Sequence, residues 1–434
     1  MMSMNETLGQ RIRRFRKERN LSQTDLGNLV GVTISWISTI EQDRAMPSAD
    51  LLNKIADAFL IPLKELLQDE DKNMELHARI KLVELLIEKN QPAEAEELII
   101  KLQQEVLSEY DKLRLTVFLA DCRYQQERFQ DALAILQPMI VSLESSNFHD
   151  AYLLAWIRNK IGNNYTELQE TEEALYNYKR AFDYINRFIE FDHLAAYISF
   201  NVGLTLRRKG CIRESLPYIE KAGSYYEKVN DIRKLADALY VLGIAYKNTD
   251  DFQRASEFFD QAKTLYQTLN NNSLFSRVQV TMAASITYKE NPTQAIQDLI
   301  HCAEQFELDK YPAGVVFVYA KIAEILLLTD RIEEASEYLN KAQNMAPSIE
   351  MSTTLELGEL YAVFAKYHYK IQNYIQAHEL AIKSSNIFAI IGFVRDQAAA
   401  LQIAVDSCRM TGNLEEALDL QSKRSDLFES LARE

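Results

Sequence analysis

Apolar residues recur every three or four positions through the first sixty residues, in four short stretches separated by residues that cap or end helices. This spacing predicts amphipathic helices, since a helical turn holds about 3.6 residues. Ser22, Thr33 and Ser48 precede three of the stretches, and such side chains cap helices well. With a last short helix, five are predicted. The apolar positions are Leu8, Ile12 and Phe15; Leu26, Leu29 and Val30; Ile37 and Ile40; and Leu51, Leu52, Ile55, Ala56 and Phe59.

The second and third helices are joined only by the short turn at Gly31 and Val32, so they must cross steeply. Glycine favours the left-handed backbone that ends a helix, which fixes the position of the turn. This arrangement is helix-turn-helix geometry, in which the second helix of the pair can enter the major groove of DNA.

Beyond residue 73 the hydrophobic pattern repeats. Ile161-Gly162 and Leu242-Gly243 are each followed, at the same distances, by a tyrosine, a small residue, an aromatic residue and another small residue. The first small residue recurs at intervals of 37 to 42 residues. Because two helices cross closely at such a residue, the pattern predicts nine helix pairs. The recurring residues are Ala95, Ala132, Ala174, Ser215, Ala255, Ala295, Ala335, Ala377 and Ala417.

Composition supports an all-α chain in several parts. Its 434 residues include only 12 glycines and 8 prolines, and one core stops growing near ~250–300 residues. The polar stretch 68–73 predicts a linker between a head, residues 1–67, and a repeat domain for ligand binding and oligomerisation, residues 74–434. Residues 1–68 carry a net charge of +1 and the remainder −16, so nucleic acid is expected to contact only the head.

No catalytic or cofactor motif is apparent: the sequence has no phosphate-binding loop, no GxGxxG and no GxSxG. Its six histidines lack metal-ligand spacing, and its four cysteines fit neither a disulfide framework nor a zinc site. No signal peptide is visible, and the longest apolar runs are near eight residues, short of the ~18 that a membrane span needs. We expect a soluble cytoplasmic protein without enzymatic activity, metal, cofactor or membrane contact.

Residues 7–67 resemble the Cro/C1-type (Xre) helix-turn-helix domain. The resemblance rests on Ser22-Gln23, Leu26, Gly31-Val32, Ile37-Ser38, Glu41, Arg44 and Pro47-Ser48. Gly27 departs from the usual alanine, at a cost of about 1 kcal/mol of helix propensity. Asp43 replaces the usual glycine, which is tolerable because aspartate can adopt left-handed backbone.

By position, this resemblance implies a set of DNA contacts. Gln23 would bond a phosphate, assisted by the helix dipole, and Ser38 and Arg44 would hold the DNA backbone. The residues presented to base edges would be Thr33, Ile34, Ser35, Trp36 and Thr39. Two alternatives stay open: Ser35 and Thr39 could form a solvated face, and Trp36 could pack on a partner protein instead of a thymine methyl group.

The repeating unit resembles the tetratricopeptide repeat, with longer helices than the usual ~34-residue unit. That resemblance implies a right-handed superhelix whose concave wall is lined by fixed positions of each first helix. Counted from the glycine of each unit and extended by Arg277, these positions are Asn159, Asn163, Tyr197, Phe200, Asn201, Arg207, Asp237 and Tyr240. Carboxamides donate and accept together, which suits an extended peptide; alternatively, the asparagines bond only neighbouring helices or water.

A Cro/C1-type head joined to a long repeat array resembles the peptide-responsive RRNPP regulators of Gram-positive bacteria, above all the NprR-like members that have both parts. The resemblance implies a transcriptional regulator for quorum sensing. A short signalling peptide would bind the concave wall and change the oligomeric state, or the spacing of two heads on a double-stranded DNA operator, in a homodimer or higher homo-oligomer. The alternative is an array that acts mainly on a phosphorelay response regulator, with DNA binding secondary.

Overall fold

Helices make up all the regular secondary structure among the residues that the computed structural model describes, which are 6–67, 70–146, 148–346 and 354–432. The chain divides into two compact units, Met1–Phe148 and His149–Glu434. The predicted all-α class is confirmed, with a helix-turn-helix head and nine helix pairs in the described ranges. None of the described helices combines the length and the apolar character that a membrane crossing requires.

The first unit begins with five short helices whose caps agree with the sequence. Ser22, Thr33 and Ser48 each accept a hydrogen bond from a backbone N–H of the following helix. The apolar faces meet in one core, in which Ile12 and Phe59 are fully buried. The helices are α1 (Leu8–Glu18), α2 (Gln23–Val30), α3 (Ile34–Glu41), α4 (Ala49–Phe59) and α5 (Leu63–Leu66).

Two helix pairs complete the first unit: α6 (Glu70–Glu88) with α7 (Pro92–Leu102), and α8 (Glu109–Gln125) with α9 (Phe129–Ser145). Residues 68 and 69 of the expected linker lie outside the described residues, and residues 70–73 belong to α6. The first unit therefore contains the head together with the first two pairs, and the division at residue 67 stays a prediction.

The second unit contains the other seven pairs. The small residue that marks each of the nine pairs is at most 3% exposed, as its place at a helix crossing requires. The helices are α10 (Ala151–Glu167) and α11 (Thr171–Ile185), α12 (His193–Lys209) and α13 (Ile212–Lys228), α14 (Ile232–Lys247) and α15 (Phe252–Thr268), α16 (Asn272–Met282) with α17 (Tyr288–Glu290) and α18 (Pro292–Leu308), α19 (Pro312–Leu328) and α20 (Ile332–Met345), α21 (Leu355–Lys370) and α22 (Tyr374–Ile390), and α23 (Val394–Thr411) and α24 (Leu414–Ala432).

Glycines inside the first helices mark the closest crossings. A Cβ atom on Gly162 would lie 2.5 Å from the ring of Tyr178, and a Cβ atom on Gly243 would lie 2.5 Å from the ring of Phe259. Glycine disfavours a helix by about 1 kcal/mol relative to alanine, so its presence there is a packing requirement. This contact explains why glycine and aromatic residue recur at one spacing.

Two features shape the interior of the second unit. Between α16 and α17 the helix widens into a π-helical turn, Ala283–Thr287. The turn before α23 contacts the start of α11, since a Cβ atom on Gly392 would lie 2.3 Å from Thr171 Oγ1. Nearby, Arg395 donates a hydrogen bond to the carbonyl oxygen of Asn248 at 3.1 Å. The eighth and ninth pairs therefore contact the third and fifth pairs.

Candidate DNA interface and inner groove

The turn between α2 and α3 is held at both ends. Gly31 ends α2 with a φ of 78°, and Thr33 Oγ1 accepts a hydrogen bond from the Trp36 N–H at 3.2 Å. A Cβ atom on Gly27 would lie 2.8 Å from the carbonyl oxygen of Val32. The departure of Gly27 from the family pattern thus coincides with a close approach of α2 to the turn.

The residues in α3 and at its N-cap that were predicted to contact DNA, at base edges or, for Ser38, at the backbone, divide into two sets. Ser38 and Thr39 are half-buried and bond within the helix: Thr39 donates to the Ser35 carbonyl at 2.8 Å, and Ser38 accepts from Gln42 at 3.1 Å. The others are exposed, and a DNA groove can meet them without rearrangement. They are Thr33, Ser35, Ile34 (50% exposed) and Trp36 (40% exposed).

Gln23, predicted to bond a phosphate, bonds inside the head. Its Nε2 donates to Glu41 at 2.9 Å, and the same carboxylate accepts from Arg16 at 2.5 and 2.9 Å. Arg16 and Glu41 are both buried, and the hydrogen bond between them raises the pKa of Arg16. One N–H of the Gln23 carboxamide is thereby engaged with the ion pair, and its second N–H remains for a phosphate.

Arg44, predicted to hold the DNA backbone, is stacked on an aromatic ring. Its guanidinium carbon lies 5.0 Å from the ring centre of Phe148, the last residue of the first unit. The preceding Asp43 adopts left-handed backbone, with a φ of 54°, as expected of an aspartate that replaces glycine. Its carboxylate accepts from the Thr7 hydroxyl at 2.5 Å and from the Gly9 N–H at 2.8 Å, and burial raises its pKa.

Three predicted groove asparagines are joined by hydrogen bonds across α10 and α12. Asn201 Nδ2 donates to Asn159 Oδ1 at 3.0 Å and to Asn163 Oδ1 at 3.4 Å. The Tyr178 hydroxyl also donates to Asn163, at 2.9 Å. Asn159 is only 1% exposed and Asn201 is 9% exposed, whereas Asn163 is half-buried. The buried Asn159 therefore holds the side chain of Asn201 in place by a hydrogen bond, and Asn163 is the most accessible carboxamide of the three.

The remaining predicted groove residues, apart from Arg207, have partners within the second unit. Phe200 packs on its apolar core. The pairs are Asp237 with the Tyr266 hydroxyl (2.6 Å), Arg277 with Glu356 (2.7 Å), Tyr240 with Thr281 (3.1 Å) and the Tyr197 ring with Lys234 Nζ (4.8 Å). Burial raises the pKa of Asp237. These side chains therefore join different helices of the second unit. Their contacts fix their orientation before any ligand binds.

A cavity of about 180 Å³ opens where Arg207 and Arg208 of α12 meet Lys247 of α14. Its other walls come from Tyr240, the segment around the π-helical turn, α19, and the beginnings of α21 and α23. Five cations and two carboxylates line it: Arg207, Arg208, Lys247, Lys321 and Arg395, with Glu359 and Asp396.

Burial dominates the electrostatics of this cavity. It lowers the pKa of Arg207 to about 10, and it also lowers the pKa of Arg208 and Lys247. Lys321 has an ion-pair partner in Glu359 at 2.8 Å. Within the part of the chain that the structure describes, the side chains of Arg207, Arg208 and Lys247 have no hydrogen-bond or ion-pair partner.

Asp396 is the other carboxyl group of the cavity. Burial and the negative charge of Glu359 raise its pKa to about 6, although Lys321, Lys247 and Arg207 act in the opposite direction. Two carboxylates therefore face five cations, and one of the two is already engaged with Lys321. The cavity has an excess of positive charge.

Sequence reasoning found Arg207 and missed its neighbours. Lys247 follows Gly243 by four residues, as Arg207 follows Gly203, so the repeat register could have identified it. Arg208 is one residue beyond that position, and Asp396 comes from a helix that the register did not include. No pattern within one repeat indicates that these two residues meet.

One group of side chains could hold a metal ion. One ligand atom each from His378, Cys408 and Glu416 lies within 4.8 Å of the others, and His378 Nε2 is 3.1 Å from Glu416. Burial and Glu416 raise the pKa of the Cys408 thiol to about 11, which favours the protonated form over the thiolate that binds metal. The three residues lie on different helices, so spacing along the chain did not reveal them.

Two family models match the chain: the Helix-turn-helix domain over residues 7–67, and the Tetratricopeptide repeat over residues 236–268 and 318–349. Among curated relatives, the Immunity repressor protein of Bacillus phage phi105 is 38% identical over 64 residues, which are 15% of this chain and 44% of the repressor. The HTH-type transcriptional regulator YazB of Bacillus subtilis is 34% identical over 65 residues, 15% of this chain and 94% of that protein.

A longer likeness joins the chain to the Transcriptional activator NprA of Geobacillus stearothermophilus, which is 19% identical over 359 residues, 80% of this chain and 84% of the activator. The chain thus spans less than half of the phage repressor and most of the activator.

Two solved structures share the fold. A Rap protein complexed with Competence and Sporulation Factor aligns with a TM-score of 0.58 at 13% identity, covering 83% of this chain and 99% of that chain. The Rap conjugation gene regulator of the plasmid pLS20, in complex with the Phr* peptide, aligns with a TM-score of 0.53 at 13% identity, covering 83% and 96%. The chain belongs to the helix-turn-helix transcriptional regulators, and its head is followed by a region that matches tetratricopeptide repeats.

Proposed function

We propose that this regulator acts in the cytoplasm as a quorum-sensing switch: a short signalling peptide binds the inner groove of the second unit and changes how two heads contact DNA. The observation that carries the proposal is the hydrogen-bonded asparagine cluster of the second unit, in which Asn163 is half-buried, together with a cavity lined by charged side chains at the end of the same helix as Asn201. Carboxamides can satisfy both the N–H and C=O groups of an extended peptide. A fold shared with a protein solved in complex with a peptide supports the same reading.

The DNA-binding part of the proposal needs two heads. A single module buries only ~600–1,000 Å² on DNA, so specific affinity requires a homodimer or higher homo-oligomer. Two heads fit an operator when their recognition helices are ~34 Å apart or a multiple of that distance. A peptide that changes the oligomeric state or the head spacing would therefore change transcription.

Selection of genomic DNA fragments by the full-length protein at physiological salt tests this function. We expect a palindrome whose half-sites are one or two helical turns apart. The selected fragment is then titrated with the protein in the presence and absence of a pool of short synthetic peptides, and the pool should change either DNA affinity or sedimentation. Equal affinity and equal oligomeric state with and without saturating peptide would refute the peptide switch and leave a constitutive DNA-binding protein.

A second candidate function is binding to a phosphorelay response regulator, with DNA binding secondary. It is favoured by large exposed apolar side chains on helices of the first two pairs, since such residues can serve protein contacts. They are Leu82 (47% exposed), Leu85 (41%), Ile100 (50%) and Val141 (63%). The double substitution S35E and T39E, which repels DNA, separates the functions: a cellular phenotype that survives it would favour this second candidate.

A further inference from the structure

Three cations converge in the inner cavity, and none of them has an ion-pair partner among the described residues, although Asp396, Glu359 and Glu167 act on them electrostatically. The Nε atoms of Arg207 and Arg208 are buried and have no hydrogen-bond partner among the described residues. Lys247 faces them and has no ion-pair partner there either. Arg207, Arg208 and Lys247 are each half-buried, and a charge withdrawn from water is costly unless it is paired and hydrogen-bonded, so the cluster favours binding of an anion.

A purely structural role for the cations does not remove this deficit. Arg207 and Arg208 lie in the last turn of α12, and Lys247 lies in the last turn of α14. Cations in such positions gain about 0.3–1 kcal/mol from the helix dipole. That gain does not require burial, since an exposed lysine or arginine obtains it equally. The position inside the cavity therefore has another cause.

The carboxylates of the cavity do not complete the cluster. Glu359 is engaged with Lys321 at 2.8 Å. Asp396 influences Arg207 and Lys247 electrostatically, but it lies within 4 Å of no cation among the described residues. One further anion would fit the cluster, and the cavity has room for a small group.

The local backbone also points to a binding role. The π-helical turn Ala283–Thr287 contributes Ala284 and Ser285 to the wall of the cavity. Such turns are rare because they insert an extra residue into a helix, and they occur often at functional sites. The distortion is thus located where the unpaired cations are.

The cavity and one of the groove asparagines share helix α12. Asn201 and Arg208 are seven residues apart on α12, so they share one face of the helix at a separation of about 10 Å. An extended peptide covers that distance in about three residues, at ~3.3 Å each. The Tyr178 hydroxyl, which is bonded to Asn163, also influences Arg208 electrostatically.

We infer that Arg207, Arg208 and Lys247 bind a carboxylate of the peptide ligand, about three residues from the part of the peptide that bonds Asn163 and Asn201. This inference rests on the proposed peptide function and makes the ligand an anionic peptide. The carboxylate comes either from the C-terminus or from an Asp or Glu side chain. Both sources offer the same pair of acceptor oxygens to guanidinium and ammonium donors.

Four pools of short random peptides test the inference with the full-length protein. The pools combine a free or an amidated C-terminus with the presence or absence of one acidic residue, and retained peptides are identified by mass spectrometry after gel filtration. Retention only of pools with a free C-terminus assigns the C-terminal carboxylate, and retention only of pools with an acidic residue assigns a side chain. Equal retention of the amidated, acid-free pool overturns the inference and leaves peptide binding intact. Retention of no pool overturns both.

Variants provide the second arm of the experiment. We expect K247Q to weaken retention of the selected peptide about tenfold, the effect of losing one charge-assisted hydrogen bond. K228Q, at an exposed lysine of the same unit, should leave it unchanged. The Tm of K247Q should equal or exceed that of the wild type, because the change removes an unpaired, half-buried charge. A lower Tm with unchanged retention would assign Lys247 a structural role. K247E should reverse the preference towards peptides that carry lysine.

Discussion

The side chain of Asn201 on α12 donates to Asn159 on α10 at 3.0 Å, which joins the third helix pair to the fourth at the inner wall. Asn159 is 1% exposed, so water has little access to replace the lost donor. We expect N201A to lower the free energy of unfolding by about 1–3 kcal/mol, since it leaves the Asn159 oxygen buried and unsatisfied. Thermal and urea unfolding of the second unit measure the change.

The matched control for that prediction is N344A, at an exposed asparagine of α20. Alanine is the better helix former, so N344A should be neutral or slightly stabilising. If N201A is as stable as N344A, the bond between the two asparagines does not contribute to the fold, and both residues would be free to serve the ligand.

Trp36 separates DNA contact from protein contact. It is 40% exposed and follows the cap of α3, so W36A should leave the Tm unchanged. If Trp36 meets a thymine methyl group, W36A should weaken binding to the selected operator about tenfold, as expected for the loss of one base contact. Fluorescence anisotropy with a labelled operator gives the affinity, and K54A on α4 serves as the control.

If W36A binds the operator within about twofold of the wild-type affinity, Trp36 does not contact the groove, because a lost base contact should cost about tenfold. Pull-down of a protein partner by the wild type and not by W36A would then support the alternative position of Trp36 on a partner surface.

Phe148 restrains a residue that was predicted to bind DNA. Its ring lies 5.0 Å from the guanidinium carbon of Arg44, a contact worth about 0.5–1 kcal/mol at an exposed site. We therefore expect F148A to free Arg44 and to tighten operator binding about two- to fivefold. The double variant F148A/R44A should lose that gain, and weaker binding by F148A itself would contradict the prediction. Affinities measured over a range of salt concentrations give the comparison.

Asp396 should make stability depend on pH in an identifiable window. Its pKa is raised to about 6, so the folded protein favours the protonated carboxyl group. The stability from this group is present below about pH 4, the ordinary pKa of aspartate, and is lost as the pH rises through about 6. In D396N the group is neutral throughout, so the variant should become more stable than the wild type above pH 6, by up to about 3 kcal/mol.

Thermal unfolding of both proteins between about pH 4 and about pH 8 tests this dependence, because that range includes both the unfolded and the folded pKa of Asp396. The Tm difference between D396N and wild type should grow to about pH 6 and then level off. D419N, at an exposed aspartate of α24, should give no such trend. A Tm difference that is constant over the whole range would mean that Asp396 titrates as an ordinary carboxyl group.

The nine helix pairs could be predicted because each repeats one steric requirement. Ala174 and Ala255 must be small where helices cross, and Gly162 and Gly243 must lack a Cβ atom against an aromatic ring. Such requirements recur with the period of the fold, so they are visible in one sequence. The exposure of Leu29, at 60%, shows that an apolar residue next to a buried face can still point to solvent.

The cation cavity could not be predicted in the same way, because it assembles residues from distant repeats. Arg208 and Asp396 are separated by most of the second unit, yet both line one cavity. The turn at Gly392, shortly before Asp396, contacts Thr171 of the third pair. The hydrogen bond between Gln23 and Glu41 could not be predicted either, because it joins residues of two different helices. Family position indicated that Gln23 faces DNA, but it carried no information on a hydrogen bond made within the head.

The contact between Gly392 and Thr171 has a kinetic consequence. A peptide that enters the groove past this contact must first separate the eighth pair from the third. Association would then be slower than the ~10⁵–10⁷ M⁻¹s⁻¹ typical of open surfaces, and dissociation would be slowed by the same closure. A regulator of this kind responds to how long a signal has persisted, and it keeps its liganded state for a time after the external concentration has fallen.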